Sequence, residues 1–107
     1  MKTSELTGIA LDWAVASAEG AVWAMWRFKQ SHADGEMNYS DDWSQGGPII
    51  EREGIDIYQS GVWVAEMDCK HTTEGPTPLI AAMRCYVASR LGDEVSIPEE
   101  LVCEPSK

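Results

Sequence analysis

A chain of 107 residues is enough for one domain with a single hydrophobic core, burying roughly two-thirds of the surface its unfolded form exposes. Its 44% hydrophobic and 24% charged content is that of an ordinary globular protein, which excludes a disordered or fibrous chain. A formal charge of −10 with only eight Lys and Arg excludes a protein whose main task is gripping phosphate backbones, so no direct nucleic-acid binding is expected.

In chain order, Thr3 or Ser4 is placed to cap a first helix, with Glu5 near its positive end. Leu6, Ile9, Trp13 and Ala16 fall at helical spacing, Leu11, Val15 and Ala18 form a neighbouring strip, and Asp12 and Glu19 mark a narrow polar edge. Such a helix is expected to be deeply buried and to end at Gly20. The apolar stretch from Ile9 to Phe28 has the length of a bilayer span, but Asp12, Glu19 and Gly20 interrupt it, and no membrane segment is predicted. Residues 21–28 are read as a strand and Lys29 to Asn38 as a surface loop around the Asp34-Gly35 turn signal.

Tyr39 to Pro48 ends in Gly46-Gly47-Pro48, a run expected outside regular structure, so this stretch is predicted to be an ordered loop or an isolated helical turn. Ile55–Tyr58 and Val62–Glu66 alternate as strands around Gln59-Ser60-Gly61, a hairpin signature. Cys69 to Gly75 is read as a further polar loop. Thr77 then caps a helix that opens with Pro78, runs to about Leu91 and closes at Gly92. Its predicted buried stripe is Leu79, Ile80, Met83, Tyr86, Val87 and Leu91, with Arg84 at the margin on the same side as Thr77. The expected architecture is α+β: a small antiparallel sheet packed with two main helices. It forms a single domain over residues 1–103, followed by a loose tail at 104–107.

Cys69, Cys85 and Cys103 are odd in number and form no CxxC pair, so neither a zinc site nor any other metal or cofactor is expected. Cys85 reads as a small apolar filler. Reduced cysteines and a first segment that reads as a helix start rather than an export leader point to the cytoplasm. The five tryptophans are expected mostly in the core, with one or two left as stacking platforms. His32 and His71 are expected in solvent, and no nucleophile motif or phosphate loop is present, so an enzyme is the less favoured class.

Two stretches carry the functional expectation. The capped amides after Thr77 suit an anion, with Arg84 supplying a guanidinium fork. Tyr39 and Trp43 offer an aromatic face, with Gln45 and the backbone of Gly47 as hydrogen-bonding partners. Tyr39, Trp43, Gln45, Gly47, Thr77 and Arg84 are therefore the candidate ligand residues for a small anionic, nucleotide-like molecule. The bland alternatives stay open: Thr77 simply capping its helix, Arg84 pairing with Glu51 or Glu53, and Trp43 plugging the core.

The same blocks carry a resemblance. Leu6-Thr7-Gly8, Leu11-Asp12-Trp13-Ala14-Val15-Ala16, Glu19-Gly20 and Tyr39 with Asp42-Trp43 look like those of the NinX-like phage accessory proteins, a family with a domain of unknown function. So do Gln45 to Glu53 and Gly75 to Val87. The resemblance implies a phage or prophage origin and an accessory role in the cytoplasm of an infected bacterium, and it carries over no activity. The leading expectation is a non-enzymatic counter-defence sponge for a nucleotide-like ligand. The alternatives are a protein-interaction inhibitor or DNA mimic acting on a host protein, and a small nucleotide-cleaving enzyme. A pocket shared between subunits would suit so short a chain, so a homo-oligomer is expected.

Overall fold

The computed structural model describes residues 2–20, 25–67, 71–98 and 101. They form four helices and a three-stranded antiparallel sheet of order β1-β2-β3, with the last helix laid across the sheet, which is the expected α+β class with two more helices than anticipated.

Thr3–Glu5 is a short 3-10 turn rather than the start of the first helix. The Thr3 hydroxyl donates to the Gly92 carbonyl at 2.7 Å and its amide to Asp93 at 2.8 Å, so the predicted cap is instead tied to the far end of the domain. Helix α1 (Gly8–Ala18) starts after Thr7 and stops before Gly20, as the sequence predicts. It is buried nearly all round: Leu11, Ala14 and Val15 enter the main core and Ala16 a smaller second cluster.

The strand expected over 21–28 and the loop from Lys29 are both corrected. Residues 21–24 lie outside the described residues, and Met25–Ala33 is helix α2. The helix exploits the i, i+4 spacing of Phe28 and His32, which puts both side chains on one face. Phe28 packs edge-on against Trp13 with ring centroids 5.2 Å apart, and His32 reaches Asp12. Burying Phe28 contributes roughly 2–3 kcal/mol, and that narrow contact does not register as helical periodicity.

Helix α3 (Trp43–Glu53) runs straight through Gly46-Gly47-Pro48, against expectation. Pro48 removes one helical hydrogen bond near the helix start. Gly47, having no Cβ, removes part of the clash that normally keeps the residue before proline out of helical geometry. Gly46 is required by packing: a Cβ there would sit 2.6 Å from both the Leu79 Cδ1 and the Tyr39 carbonyl oxygen.

The predicted hairpin is present as β1 (Asp56–Ser60) and β2 (Val62–Met67), with Ile57 opposite Ala65 and Gln59 opposite Trp63. The polar loop expected from Cys69 is in part a third strand, β3 (His71–Gly75), and residues 68–70 lie outside the described residues. Its Thr73 pairs with Ala65 and its Gly75 with Trp63 on the inner face, while Thr72 and Glu74 point outward. A strand with so few apolar residues has little hydrophobic signature of its own.

Helix α4 (Pro78–Leu91) matches its predicted bounds, with the Thr77 side chain accepting from the Ile80 amide. Its buried surface is wider than the predicted stripe: Ala81, Ala82, Cys85 and Ala88 are also inside, and Leu91 is exposed. The alanines let the sheet approach the helix backbone. Gly75 goes further, since a Cβ there would lie 2.8 Å from the Ala81 nitrogen.

The tryptophan expectation is also corrected. Trp26 and Trp43 are 64% and 53% exposed, Trp13 and Trp63 are half-buried, and Trp23 lies outside the described residues. The core is built instead from Leu6, Leu11, Val15, Met83, Tyr86 and Val87. Leu101 joins Phe28 and Ala16 in the second cluster, and the predicted tail at 104–107 lies outside the described residues, as do Cys69 and Cys103. Among the described residues no helix is long and apolar enough to cross a membrane, and no group of His, Cys, Asp and Glu is placed to hold a metal.

Candidate functional site

Arg84, two turns into α4, is held by backbone carbonyls. Its Nε donates to the Leu6 carbonyl at 2.7 Å and its Nη1 to that of Glu74 at 2.7 Å. Gly75 makes this possible by letting the end of β3 abut α4, which brings the Glu74 carbonyl to the guanidinium. A guanidinium has five N–H groups, so these bonds fix its plane and leave donors over. Burial holds the Arg84 pKa below the ordinary arginine value. The side chain forms one wall of a cleft of about 590 Å³, whose other walls include Ser4, Val62, Thr72, Glu74 and Pro76. That volume falls in the range of small-molecule sites.

The second predicted stretch is engaged differently. Asp42 caps α3, accepting from the Ser44 amide at 2.9 Å and hydroxyl at 2.6 Å, and these bonds hold its carboxyl below the usual range. An internal carboxylate therefore already occupies this helix N-terminus. Gln45 closes the preceding loop: its Oε1 accepts from the Asn38 amide at 2.7 Å and its Nε2 donates to the Gly35 carbonyl at 2.6 Å. Tyr39 is half-buried against both core clusters, Trp43 is exposed, and Gly47 lies behind the Trp43 ring.

The two stretches meet where Gly46 touches Leu79. At about 100° per residue, Leu79 and Arg84 point about 140° apart on α4, whereas Thr77 lies within about 20° of Arg84. Pro76 lines the Arg84 cleft, whereas Thr77 does not and spends its side chain on capping α4 at the Ile80 amide. Tyr39, Trp43, Gln45 and Gly47 belong to the α3 side, and none of them lines the Arg84 cleft.

Two constellations escaped sequence reasoning. Asp12, expected on a polar edge, is 2% exposed. Its Oδ1 accepts from the Ser40 amide (2.8 Å) and hydroxyl (2.7 Å), and its Oδ2 lies 2.9 Å from His32 Nε2, so His32 is not the solvent-exposed residue expected. His71 likewise is half-buried in β3, where its carbonyl accepts from the Cys85 thiol at 3.4 Å. Burial pushes the Asp12 carboxyl above its ordinary value, against the lowering effect of those bonds. The carboxylate stands between serine and histidine, so the imidazole is not placed to activate the hydroxyl as in a nucleophilic triad. The available signal was an acid within the apolar run Leu11 to Val15.

The second constellation surrounds Tyr86. The Arg52 and Arg90 guanidiniums both lie over its ring, 5.6 and 5.3 Å from the centroid. Its hydroxyl donates to Glu19, which also binds Arg52, and Glu53 takes Arg52 and Arg90. Two cations face two carboxylates, leaving no net charge for a ligand. Burial, with the Glu19 bond adding, pushes the Tyr86 phenol up to about 12. The proton is held more tightly in the folded state, so this contribution is intact below pH 10 and is lost as pH rises towards 12. Denaturant unfolding between pH 8 and 12 should show a fall on the order of 2 kcal/mol that Tyr86→Phe lacks. Parallel curves for the two proteins would refute the assignment.

No curated protein matches the chain. The model of the family described as bacteriophage P22, NinX, matches residues 2–90, spanning the 3-10 turn, α1 to α3, the sheet and all but the last residue of α4. The chain belongs to this phage NinX family.

Proposed function

We propose that this phage accessory protein binds a small anionic, nucleotide-derived ligand in the Arg84 cleft and withdraws it unchanged, as a sponge directed against a host signalling molecule. The observation that carries the reading is how the Arg84 guanidinium is held. Arg52 and Arg90 are neutralised by Glu19 and Glu53, whereas Arg84 is half-buried, fixed by two carbonyls and, among the described residues, has no carboxylate partner. A desolvated, oriented cation is a pre-organised anion receptor. Trp43 lies on the α3 side, so the reading rests on Arg84 and its neighbours.

Native mass spectrometry before and after exposure to a bacterial nucleotide extract tests this, and also counts subunits. A discrete added mass is expected, released intact on denaturation. Arg84→Gln should weaken binding by about 10- to 100-fold, the worth of a charge-assisted hydrogen bond. Because Arg84 also ties Leu6 to Glu74, Ser4→Trp serves as a second variant that fills the cleft from an exposed position. No added mass would overturn the proposal, and a chemically altered product would replace it with an enzyme.

A second reading has one observation in its favour. The face of the sheet turned away from α4 carries Asp56, Glu66 and Glu74 around the exposed Tyr58 and Val62. An acidic surface with apolar anchors suits a basic protein partner, and its signature would be a host complex that weakens steeply with salt.

A further inference from the structure

The two edges of the sheet are finished differently. The β3 edge lies against the N-terminal 3-10 turn, and the Glu74 carbonyl near its end is taken by Arg84. The β1 edge is open. β1 pairs with β2 without a break from Asp56 opposite Glu66 to Ser60 opposite Val62, so no bulge twists it away. It holds no lysine or proline, and four of its five residues are exposed. Among the described residues, none of its outward backbone amides or carbonyls has a hydrogen-bond partner. Natural sheets rarely leave an edge in that state, because it is a template for another strand.

The charges beside that edge are unbalanced. Asp56 and Glu66 stand directly opposite each other on the outer face, a like-charge cross-strand pair that works against the hairpin. Glu66 accepts from the Tyr58 hydroxyl at 2.6 Å, a neutral donor, and among the described residues neither acid has a cation partner. We infer that the β1 edge takes an extended segment of a partner protein as a fourth strand, with a lysine or arginine of that segment beside Asp56. The inference rests on the basic-partner reading given above, deepens it, and does not involve Arg84. A new strand on β1 supplies the missing backbone partners, and its outward side chains at alternate positions fall next to Asp56, Tyr58 and Ser60. A cation there relieves the opposition of Asp56 and Glu66. A second copy of this chain, pairing through its own β1, would bring further carboxylates to the face and no cation, so charge selects the basic segment.

The test is an NMR titration of the isotope-labelled full chain with a short capped peptide alternating lysine and valine. Amide shifts should centre on residues 56–60 and fade as salt rises. The counterpart with glutamate for lysine should not bind. N-methylating the peptide at all its lysines, or at all its valines, removes the amide donors of one edge or the other. One of these two forms should bind about tenfold more weakly than its sibling. Asp56→Asn, at an exposed position, should weaken the lysine peptide about two- to fivefold, as for an exposed ion pair. Equal binding of the two N-methylated forms overturns the strand addition while the basic-partner reading stands. No binding of the lysine peptide, or equal binding of the glutamate form, overturns both. Shifts at 56–60 that follow protein concentration without peptide assign the edge to a second copy and overturn the inference as well.

Discussion

Replacing Asp12 with alanine should cost about 3–5 kcal/mol, because it removes the acceptor for three groups inside the domain and refills the space with nothing polar. The Ser40 amide and hydroxyl are buried with Asp12, and the His32 ring is tied to the same carboxylate. Asp12→Asn keeps an oxygen for Ser40 and should cost only about 1–2 kcal/mol. Urea midpoints read the difference, and a loss below about 1 kcal/mol in the alanine variant would show that water replaces the carboxylate. The pH dependence is a second readout. Burial raises the Asp12 carboxyl above its ordinary value of 3.8, so its contribution is greatest below that pH and declines as pH rises through the folded value. Asp12→Asn should flatten that segment of the stability curve. Hydrogen exchange should show the amides of α2 losing protection first in Asp12→Ala, since that helix then keeps the packing of Phe28 on Trp13 but loses its tie to Asp12.

The second large effect sets two adjacent glycines against each other. Gly46→Ala should destabilise by about 1–3 kcal/mol, because the new methyl group would overlap a backbone oxygen, Tyr39 O, as well as the Leu79 side chain. Leu79 can change rotamer, but the Tyr39 carbonyl can move only with its loop. Gly47→Ala meets nothing nearer than the Trp43 ring at 3.9 Å. Its gain in helix propensity, about 0.5–1 kcal/mol, is offset by the strain of a Cβ before proline, so its stability should stay near that of the parent. Thermal unfolding of the pair decides the matter. Equal losses would show that the Gly46 contact with Leu79 and Tyr39 is not what holds α3 against α4.

These residues also show what could be read without coordinates. The hairpin and α4 were legible because their signals are local: Gly61 between alternating runs, then Thr77-Pro78 at one end of a helix and Gly92 at the other. Helix α3 was misread because Gly-Gly-Pro signals a break, whereas Gly46 is there for Leu79, far along the chain. Strand β3 and helix α2 were missed for a related reason, since the partners that justify them, Ala65 for Thr73 and Trp13 for Phe28, lie in other elements. At the site, helical spacing placed Thr77 and Arg84 on one side, while the separation of Trp43 from Arg84 depends on how α3 docks on α4. Asp12 looked like surface because its partners lie 20 and 28 residues further on.

The N-terminal wall of the Arg84 cleft is fastened by bonds between the two extremes of the described chain. Thr3 and Gly92 stand 89 residues apart, and Leu6 and Arg84 stand 78 apart. A nascent polypeptide has no Gly92 or Asp93 for Thr3 to bind, so the anchored N-terminal wall cannot form before synthesis has passed α4. Pairings of such sequence separation are made late and slow the search for the native state. The cleft should therefore take its final shape only once α4 has been made, and a chain cut after Leu91 would keep Arg84 while losing the anchor of that wall.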